Sequence, residues 1–265
     1  VELLDAEAIR RALSGSAAAA IAGLEVHLQI ESTNTHLLDA PVPAERALVC
    51  IAEYQSAGRG RRGRRWVSPL ASNLYFSIGW QFQGGAEVLE GLSLAAGVAV
   101  CAALEEFDID GLGLKWPNDV LRHGSKLAGI LIEMTGDVSG PSRVVVGIGL
   151  NVAVPATAAE LIDQGWSDLR NAAGDRPRRH EVQVALLNHL VPLLASYENA
   201  GFKAWREGWL ELDVYANKPV TISSGSADPL YGIARGVDER GALLLETHAG
   251  QQTVHGGEVS LRPAS

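Results

Sequence analysis

Cysteine is scarce in this sequence. Its 265 residues include two cysteines, Cys50 and Cys101, and one methionine. Both cysteines lie in apolar runs, where cysteine usually behaves as a small buried hydrophobic residue. Two separated cysteines and seven scattered histidines also give no spacing typical of a structural metal site. We therefore expect neither a disulfide framework nor a tightly bound metal.

Long hydrophobic runs and excess positive charge are also missing. No stretch reaches the roughly 18 apolar residues that a membrane-spanning helix needs. The alanine run from Ala17 to Ala20 is too short for a secretory signal and lacks a basic leader. The formal net charge is -9, which disfavours general nucleic-acid binding. We expect a cytoplasmic protein without membrane contact that acts on small molecules.

What is present is enough apolar sequence for a full core, because 47% of the residues are hydrophobic and 20% are charged. Apolar periodicity predicts helices over residues 5–13, 92–107 and 182–198, with an extension over 202–210. Strand patterns occur over residues 26–30, 47–52, 73–80, 112–116, 126–134 and 143–150. A hairpin is expected across residues 122–125. This mixture of hairpins and helices indicates an α+β fold.

The pattern of predicted secondary structure changes near residue 216. Short strand patterns follow one another over residues 218–222, 230–237, 242–246 and 252–255, separated by glycine- and aspartate-containing turns. Several short strands at close spacing are typical of a small β-barrel. We predict a large domain over residues 1–215 and a small β-barrel domain over residues 216–265.

The strongest local signal is the stretch from Glu53 to Trp66, which contains Gly58-Arg59-Gly60-Arg61-Arg62-Gly63. The glycines let backbone N–H groups approach an anion, and the arginines add charge suited to carboxylate and phosphate. Trp66 could stack on a purine. The composition alone is equally compatible with a solvated basic loop or with an arginine–glycine segment that binds nucleic acid. A P-loop is excluded, since no glycine here is followed by Lys-Ser/Thr.

A second cluster is Lys115-Trp116-Pro117-Asn118-Asp119. Proline ends the preceding strand and leaves Asn118 and Asp119 at its end, where side chains that contact ligands often lie. Asn118 could contact a base or ribose and Asp119 could bind magnesium, although Pro-Asn-Asp is also an ordinary turn signal. Lys126 opens an apolar strand, either as a surface residue or as a cation directed at a carboxylate.

Two glycines interrupt a third apolar segment, Gly147-Ile148-Gly149-Leu150-Asn151. Glycine weakens a strand unless another backbone or a ligand must come close. Close packing alone would satisfy that need, so this segment is weak evidence by itself.

Five motifs together resemble those of biotin–protein ligases, in the same order. They are Ser32-Thr33-Asn34, the glycine–arginine loop, Lys115 to Asp119, Lys126-Leu127-Ala128-Gly129-Ile130 and Gly147 to Asn151. The likeness extends over the whole chain to Glu258-Val259-Ser260-Leu261-Arg262. It implies a mixed central sheet flanked by helices, as in class II synthetases, and an SH3-like C-terminal barrel.

The resemblance also implies roles for individual residues. Lys126 and Arg61 are the expected catalytic cations, and Asp119 is a candidate magnesium ligand. The expected biotin-binding residues are Ser32, Thr33, Asn34, Gln55, Gly58, Arg59, Arg61, Lys126 and Gly129. The expected ATP- and adenylate-binding residues are Arg61, Trp66, Lys115, Asn118, Asn151, Glu258 and Arg262.

The implied reaction has two steps. Biotin and MgATP form biotinyl-5′-AMP, and a lysine of a biotin carboxyl carrier domain then takes the biotin. By resemblance, that carrier belongs to acetyl-CoA carboxylase. The bifunctional members of the family carry a winged helix-turn-helix domain before the catalytic part. In this sequence, the likeness to the catalytic part begins almost at residue 1. We therefore expect no DNA binding by this chain, and the sequence leaves both a monomer and a homodimer open.

Two other functions compete with this interpretation. A lipoate–protein ligase shares the catalytic fold but carries different loop motifs. A non-enzymatic nucleic-acid-binding module would use the arginines and would leave Lys126 and Asn118 unexplained.

Overall fold

The computed structural model describes residues 2–136, 140–170, 175–224, 228–256 and 259–263. Its helices are α1 (Ala6–Ala12), α2 (Gly15–Ala20), α3 (Thr33–Asp39), α4 (Leu92–Glu105), α5 (Ala156–Ala159), α6 (Arg179–Ala200) and α7 (Arg206–Leu212). The first seven strands are β1 (Ile21–His27), β2 (Ala47–Ala52), β3 (Leu74–Phe82), β4 (Leu112–Lys115), β5 (Asp119–Arg122), β6 (Ser125–Gly136) and β7 (Ser142–Leu150). The last five are β8 (Pro219–Ser224), β9 (Leu230–Val237), β10 (Leu243–Thr247), β11 (Gly250–Val254) and β12 (Val259–Pro263).

The first seven strands form one mixed sheet in the order β1-β2-β3-β7-β6-β5-β4. Only β1 and β2 run parallel, and the other neighbouring pairs are antiparallel. The remaining strands form a five-stranded antiparallel sheet in the order β11-β10-β9-β8-β12. This architecture confirms the predicted α+β class with a small C-terminal β unit.

Helices cover both faces of the central sheet, because strand side chains alternate between the faces. Val49 and Ile51 of β2 belong to the large core beneath α4 and α6, whereas Cys50 packs with Leu37 of α3 and Val145 of β7. The face covered by α3 is called the α3 face below. Buried residues of the C-terminal sheet, such as Val220 and Leu245, belong to the same large core.

The segment Ala86–Glu105 is long and apolar enough to pass as a membrane span, with a mean hydropathy of 1.7. The expectation that no such stretch exists was therefore wrong by this measure. Within the described residues, 56% of its most apolar 18-residue window is buried inside the protein, and α4 packs against α6 and β6. Core helices of this kind share the composition of membrane spans.

Several predicted elements needed correction. The first strand covers residues 21–27 rather than 26–30, because it pairs with β2 over Ile21 to His27 and beyond that leaves only the single bridge Ile30–Gln55. β5 was not predicted, although it lies between β4 and β6. The hairpin across residues 122–125 therefore joins β5 to β6. His123 and Gly124 both have positive φ there, as a tight two-residue turn requires.

A buried ion pair joins the N-terminal part of the chain to α6. Glu53 and Arg179 have side chains 1% and 6% exposed, and Arg179 Nη1 donates to Glu53 Oε2 at 2.8 Å. Glu53 also accepts from the backbone N–H of Leu4, and Arg179 donates to the carbonyl of Asn73. The pair therefore fixes four separate segments, those of Leu4, Glu53, Asn73 and Arg179, to one another.

We predict that Arg179→Ala lowers the free energy of unfolding by about 3–5 kcal/mol, because it leaves a buried carboxylate without its partner. Chemical denaturation followed by circular dichroism measures this. Arg178→Ala is the matched control, since Arg178 is 64% exposed and solvent screens its ion pair with Glu2. Equal effects of the two substitutions would contradict this role for the buried pair.

Candidate active site

A cavity of about 760 Å³ opens on the α3 face of the central sheet. Its floor comes from β6 and β7, and its walls come from the start of α3, the glycine–arginine loop, the β4–β5 turn and β12. Residues 161 and 163–165 complete the rim. All five sequence motifs therefore contribute to one concave site, which is the usual geometry for a small-molecule ligand.

Glycines on the floor give the cavity its depth. A Cβ atom at Gly147 would lie 2.0 Å from Asn34 Oδ1, and one at Gly149 would lie 2.4 Å from Trp66 Cε2. Gly129 is the cross-strand partner of Gly149 and also lies beneath Trp66. The glycines are required because two side chains lie directly on the sheet, which is a specific reason for glycine within a strand.

A polar network lines one end of the cavity. Ser32 caps α3 by accepting from the backbone of Thr35. Gln55 Oε1 accepts from the backbone N–H of Thr33 at 2.9 Å, and Ser77 Oγ donates to Thr33 Oγ1 at 2.7 Å. Because each group holds the next, these donors and acceptors are fixed before any ligand binds.

Asn34 and Arg59 meet at a shared carboxylate in the same end of the cavity. Asn34 Nδ2 donates to Glu133 Oε2 at 2.9 Å, and Arg59 Nη2 donates to the same oxygen at 2.7 Å. Ser77 Oγ also lies 2.5 Å from Asn34 Oδ1, so its single hydroxyl hydrogen is shared between Asn34 and Thr33. Glu133 thus positions both an amide and a guanidinium against the cavity.

The glycine–arginine loop is a compact turn. Gly60 N–H donates to Arg64 O at 2.7 Å, and Trp66 N–H donates to Gly58 O at 2.8 Å. Arg62 has φ of 60°, the left-handed region that most side chains avoid. The tight backbone directs successive arginines in different directions along the cavity wall.

Arg61 connects this loop to two other parts of the chain. Its Nη1 donates to Asn118 Oδ1 at 2.9 Å, and its Nη2 donates to Val259 O of β12 at 3.4 Å. Asn118 is itself fixed, because its Nδ2 donates to Ile130 O. Arg61 therefore holds the loop closed across the cavity.

Lys126 lies at the centre of the site, with its side chain 17% exposed. Its Nζ is 2.6 Å from Asp119 Oδ1 and 5.5 Å from the centre of the Trp66 ring. The Nε1 atom of Trp66 is buried without a hydrogen-bond partner among the described residues. The ammonium beside an aromatic face offers a binding surface for an anionic aromatic ligand.

The cavity is strongly basic in an acidic chain. Eight Lys and Arg side chains line it, against the two carboxylates of Asp119 and Asp163. The basic residues are Arg59, Arg61, Arg62, Arg64, Arg65, Lys115, Lys126 and Arg262. Burial lowers the pKa of Lys115, and the nearby cations Lys126, Arg262 and Arg64 lower it further, although Asp119 opposes them. A ligand with several negative charges would relieve this repulsion.

Comparison with known proteins agrees with this geometry. The biotin/lipoate A/B protein ligase family matches residues 26–151, and the biotin protein ligase C-terminal domain matches residues 215–262. The bifunctional ligase/repressor BirA of Escherichia coli is 39% identical over 264 residues, covering 100% of this chain and 80% of that protein. The chain belongs to the biotin protein ligase family.

Two further relatives illustrate the extent of the likeness. The biotin–[acetyl-CoA-carboxylase] ligase of Mycobacterium tuberculosis is 36% identical over 269 residues, covering 97% of this chain and 95% of that protein. The structure of the biotin protein ligase from Aquifex aeolicus in complex with biotin and ATP has a TM-score of 0.76 and 29% identity, covering 92% of this chain and 100% of that chain. The family predicted from the five motifs is confirmed.

Most of the predicted site residues of this ligase line the cavity. They are Ser32, Thr33, Asn34, Gln55, Arg59, Arg61, Trp66, Lys115, Asn118, Asp119, Lys126, Gly129 and Arg262. Gly58 lies behind the wall, where a Cβ atom would meet Trp66 O at 2.7 Å. Asn151 is 4% exposed and donates to Ser167 O at 3.0 Å, and it is absent from the lining. Its contact with nucleotide stays a prediction, and Glu258 lies outside the described residues.

Sequence reasoning missed other residues of the ligase site. Ser77 and Glu133 hold the polar end, Tyr215 lines the cavity near Asp119, and Gln164 contributes to the rim. The alternation of β6 could have placed Glu133 on the same face as Gly129 and Leu131. No sequence pattern points to Tyr215, which reaches the cavity from the linker between α7 and β8.

The two floor glycines of the ligase allow a paired test. We expect Gly147→Ala to displace Asn34 and weaken biotin binding, and Gly149→Ala to displace Trp66 and weaken ATP binding, each by about tenfold, or about 1.4 kcal/mol. Calorimetric titration of each variant with each ligand measures this. The two variants control for each other, since both add one methyl group to β7. If both variants lost affinity for both ligands equally, then biotin would not bind beside Asn34 and ATP beside Trp66 as expected.

Proposed function

We propose that this biotin–protein ligase forms biotinyl-5′-AMP from biotin and MgATP and then transfers biotin to a lysine of a biotin carboxyl carrier domain, that of acetyl-CoA carboxylase. The observation that carries the proposal is the single cavity that joins a preformed polar network to eight basic side chains. Relatives named as biotin–[acetyl-CoA-carboxylase] ligases support the carrier.

The polar end suits the ureido ring of biotin. That ring offers two N–H donors and one carbonyl acceptor on a compact apolar frame. Thr33, Asn34, Gln55 and Ser77 supply both donors and acceptors within one hydrogen-bonded network. The dithiolane ring of lipoate has no N–H or carbonyl group and would give these polar groups no hydrogen bonds in place of those they lose with water, which costs free energy. The network therefore favours biotin over lipoate.

In the first step, a biotin carboxylate oxygen attacks the α-phosphorus of ATP. A new carboxyl–phosphate bond forms, the bond to the β-phosphate oxygen breaks, and pyrophosphate leaves. Both reactants are anions, so cations must offset their repulsion and the charge that develops in the transition state. Lys126 is the central cation of the cavity, and Arg61 lies at the side formed by Asn118 and β12.

Magnesium enters this account as part of the substrate MgATP. Magnesium sites at nucleotides usually combine phosphate oxygens and water with one or two carboxylates. Asp119 is the carboxylate at the centre of the cavity, and it accepts a contact from Lys126 at 2.6 Å. Asp119 would therefore help to hold the ion, and the phosphates of ATP would compete with it for Lys126.

In the second step, the carrier lysine attacks the acyl carbon of the adenylate as a neutral amine. An amide bond forms, the acyl–phosphate bond breaks, AMP leaves, and the amine gives up a proton. The mixed anhydride must be kept from water until the lysine arrives. The loop from Arg59 to Trp66, held across the cavity by Arg61, would serve as that cover.

The transfer step is tested with a purified biotin carboxyl carrier domain, biotin and ATP. We expect one biotin per carrier domain by intact-mass spectrometry and one AMP released for each biotin attached. A carrier in which arginine replaces the acceptor lysine is the control and should gain no mass. Adenylate formation without any transfer to the wild-type carrier would contradict the proposed partner.

A further inference from the structure

A second group of chemically reactive side chains lies outside the cavity, on the same α3 face of the sheet. Glu25 and His27 stand on β1, Cys50 stands on β2, and His36 lies in the last turn of α3. Glu25 and Cys50 are direct partners in the parallel pairing of β1 and β2, and Glu25 and His27 are two residues apart. All four side chains therefore converge between the sheet edge and α3.

The ligand atoms of these four residues are close enough to share one ion. Each residue offers one donor atom, and these atoms all lie within 4.8 Å of one another. His36 Nε2 is 2.5 Å and His27 Nε2 is 3.3 Å from Glu25 Oε1. Tetrahedral zinc, with bonds of about 2.0–2.3 Å, holds its ligand atoms about 3.3–3.8 Å apart. Shifts of roughly an ångström would bring the four atoms to this spacing.

Other features of the cluster also favour a metal ion. The Nε2 atom of His27 is buried, and its 3.3 Å contact with Glu25 Oε1 lacks hydrogen-bond geometry, so this nitrogen makes no hydrogen bond among the described residues. Cys50 is fully buried, whereas Glu25, His27 and His36 are each about one third or more exposed, so an ion could enter from solvent. A buried, unsatisfied nitrogen is costly in the metal-free protein, and coordination would satisfy it.

We propose that Glu25, His27, His36 and Cys50 form a binding site for Zn²⁺. Nitrogen and thiolate donors with one carboxylate suit zinc, whereas magnesium and calcium prefer oxygen donors alone. The Cys50 thiol releases its proton to solvent when it binds, as coordination by thiolate requires. The ion would join β1 and β2 to α3, whose first turn carries Thr33 and Asn34 of the cavity.

The test is equilibrium dialysis of the full chain, without an affinity tag and after chelator treatment, against Zn²⁺. We expect one tightly bound zinc per chain that excess Mg²⁺ does not displace. His36→Gln and Cys50→Ala should each weaken zinc binding by roughly 100-fold or more, because each removes one direct ligand. Co²⁺ in place of zinc should give a thiolate charge-transfer absorption band in the wild type and none in Cys50→Ala.

A matched control separates this site from ordinary histidine–carboxylate pairs. His189 is 33% exposed and lies 2.7 Å from Glu106, without further metal-binding groups around it among the described residues. His189→Gln should leave zinc binding unchanged. His36 is 38% exposed, so its substitution should preserve the fold, which circular dichroism checks. Unchanged zinc affinity in folded His36→Gln, or displacement of zinc by magnesium, would show that the cluster is an ion-pair network only.

Discussion

Lys126→Ala is expected to reduce the rate of adenylate formation on the order of 10²–10³-fold, the usual loss when one preorganised electrostatic group is removed from a reacting centre. Lys126 is the basic residue that contacts both Asp119 and the face of Trp66. Its loss leaves two anionic reactants without their central counter-charge. Single-turnover formation of biotinyl-5′-AMP in a quenched-flow experiment measures the effect.

The matched control for this variant is Lys203→Ala. Lys203 is 73% exposed and pairs with Glu239, and neither residue lines the described cavity, so its removal should leave the rate unchanged. Lys126→Arg should recover only part of the rate, because a guanidinium keeps the charge but has a different shape. A normal rate in folded Lys126→Ala would remove Lys126 from the mechanism.

Arg61→Gly is expected to release biotinyl-5′-AMP about 10–100 times faster than the wild type, because hydrogen bonds from a charged donor each contribute about 1.5–3 kcal/mol. Without Arg61, the loop loses its contacts with Asn118 and with β12. The escaped adenylate should then label lysines of a bystander protein such as serum albumin. The dissociation rate and the biotin content of that protein are the two measurements.

Arg62→Gly is the control for this loop variant. It removes the same charge from the neighbouring position, and glycine accepts the left-handed backbone of Arg62 without strain. We expect it to retain the adenylate and to label the carrier alone. If Arg61→Gly also remains strictly specific for the carrier, closure of the loop by Arg61 is not what retains the intermediate.

The sequence identified the family because its five motifs carry chemistry at particular positions. The strand Ala47–Ala52 was also predicted from a local pattern, since a buried strand leaves a short apolar run in the sequence. The four-residue strand β5 was missed because its residues follow a Pro-Asn turn signal and are too few for a clear alternation.

The arrangement of the site depended on contacts between distant residues. From the sequence, Gly147 and Gly149 are only two glycines within a strand. The structure gives the reason for them, because Asn34 lies on Gly147 and Trp66 lies on Gly149. Glu133 could be placed on a face, but its two partners come from α3 and from the loop. Asn151 belongs to a predicted motif and binds the backbone of Ser167. Such pairings follow from tertiary structure and not from local periodicity.

The central claim is that this cavity activates biotin with ATP. The most direct measurement is exchange of labelled pyrophosphate into ATP with either biotin or lipoate as the acid substrate. The account predicts exchange that depends on biotin, with none above background for lipoate. Exchange with lipoate and none with biotin would contradict it, because the polar network of Thr33, Asn34, Gln55 and Ser77 would then have been assigned to the wrong ligand.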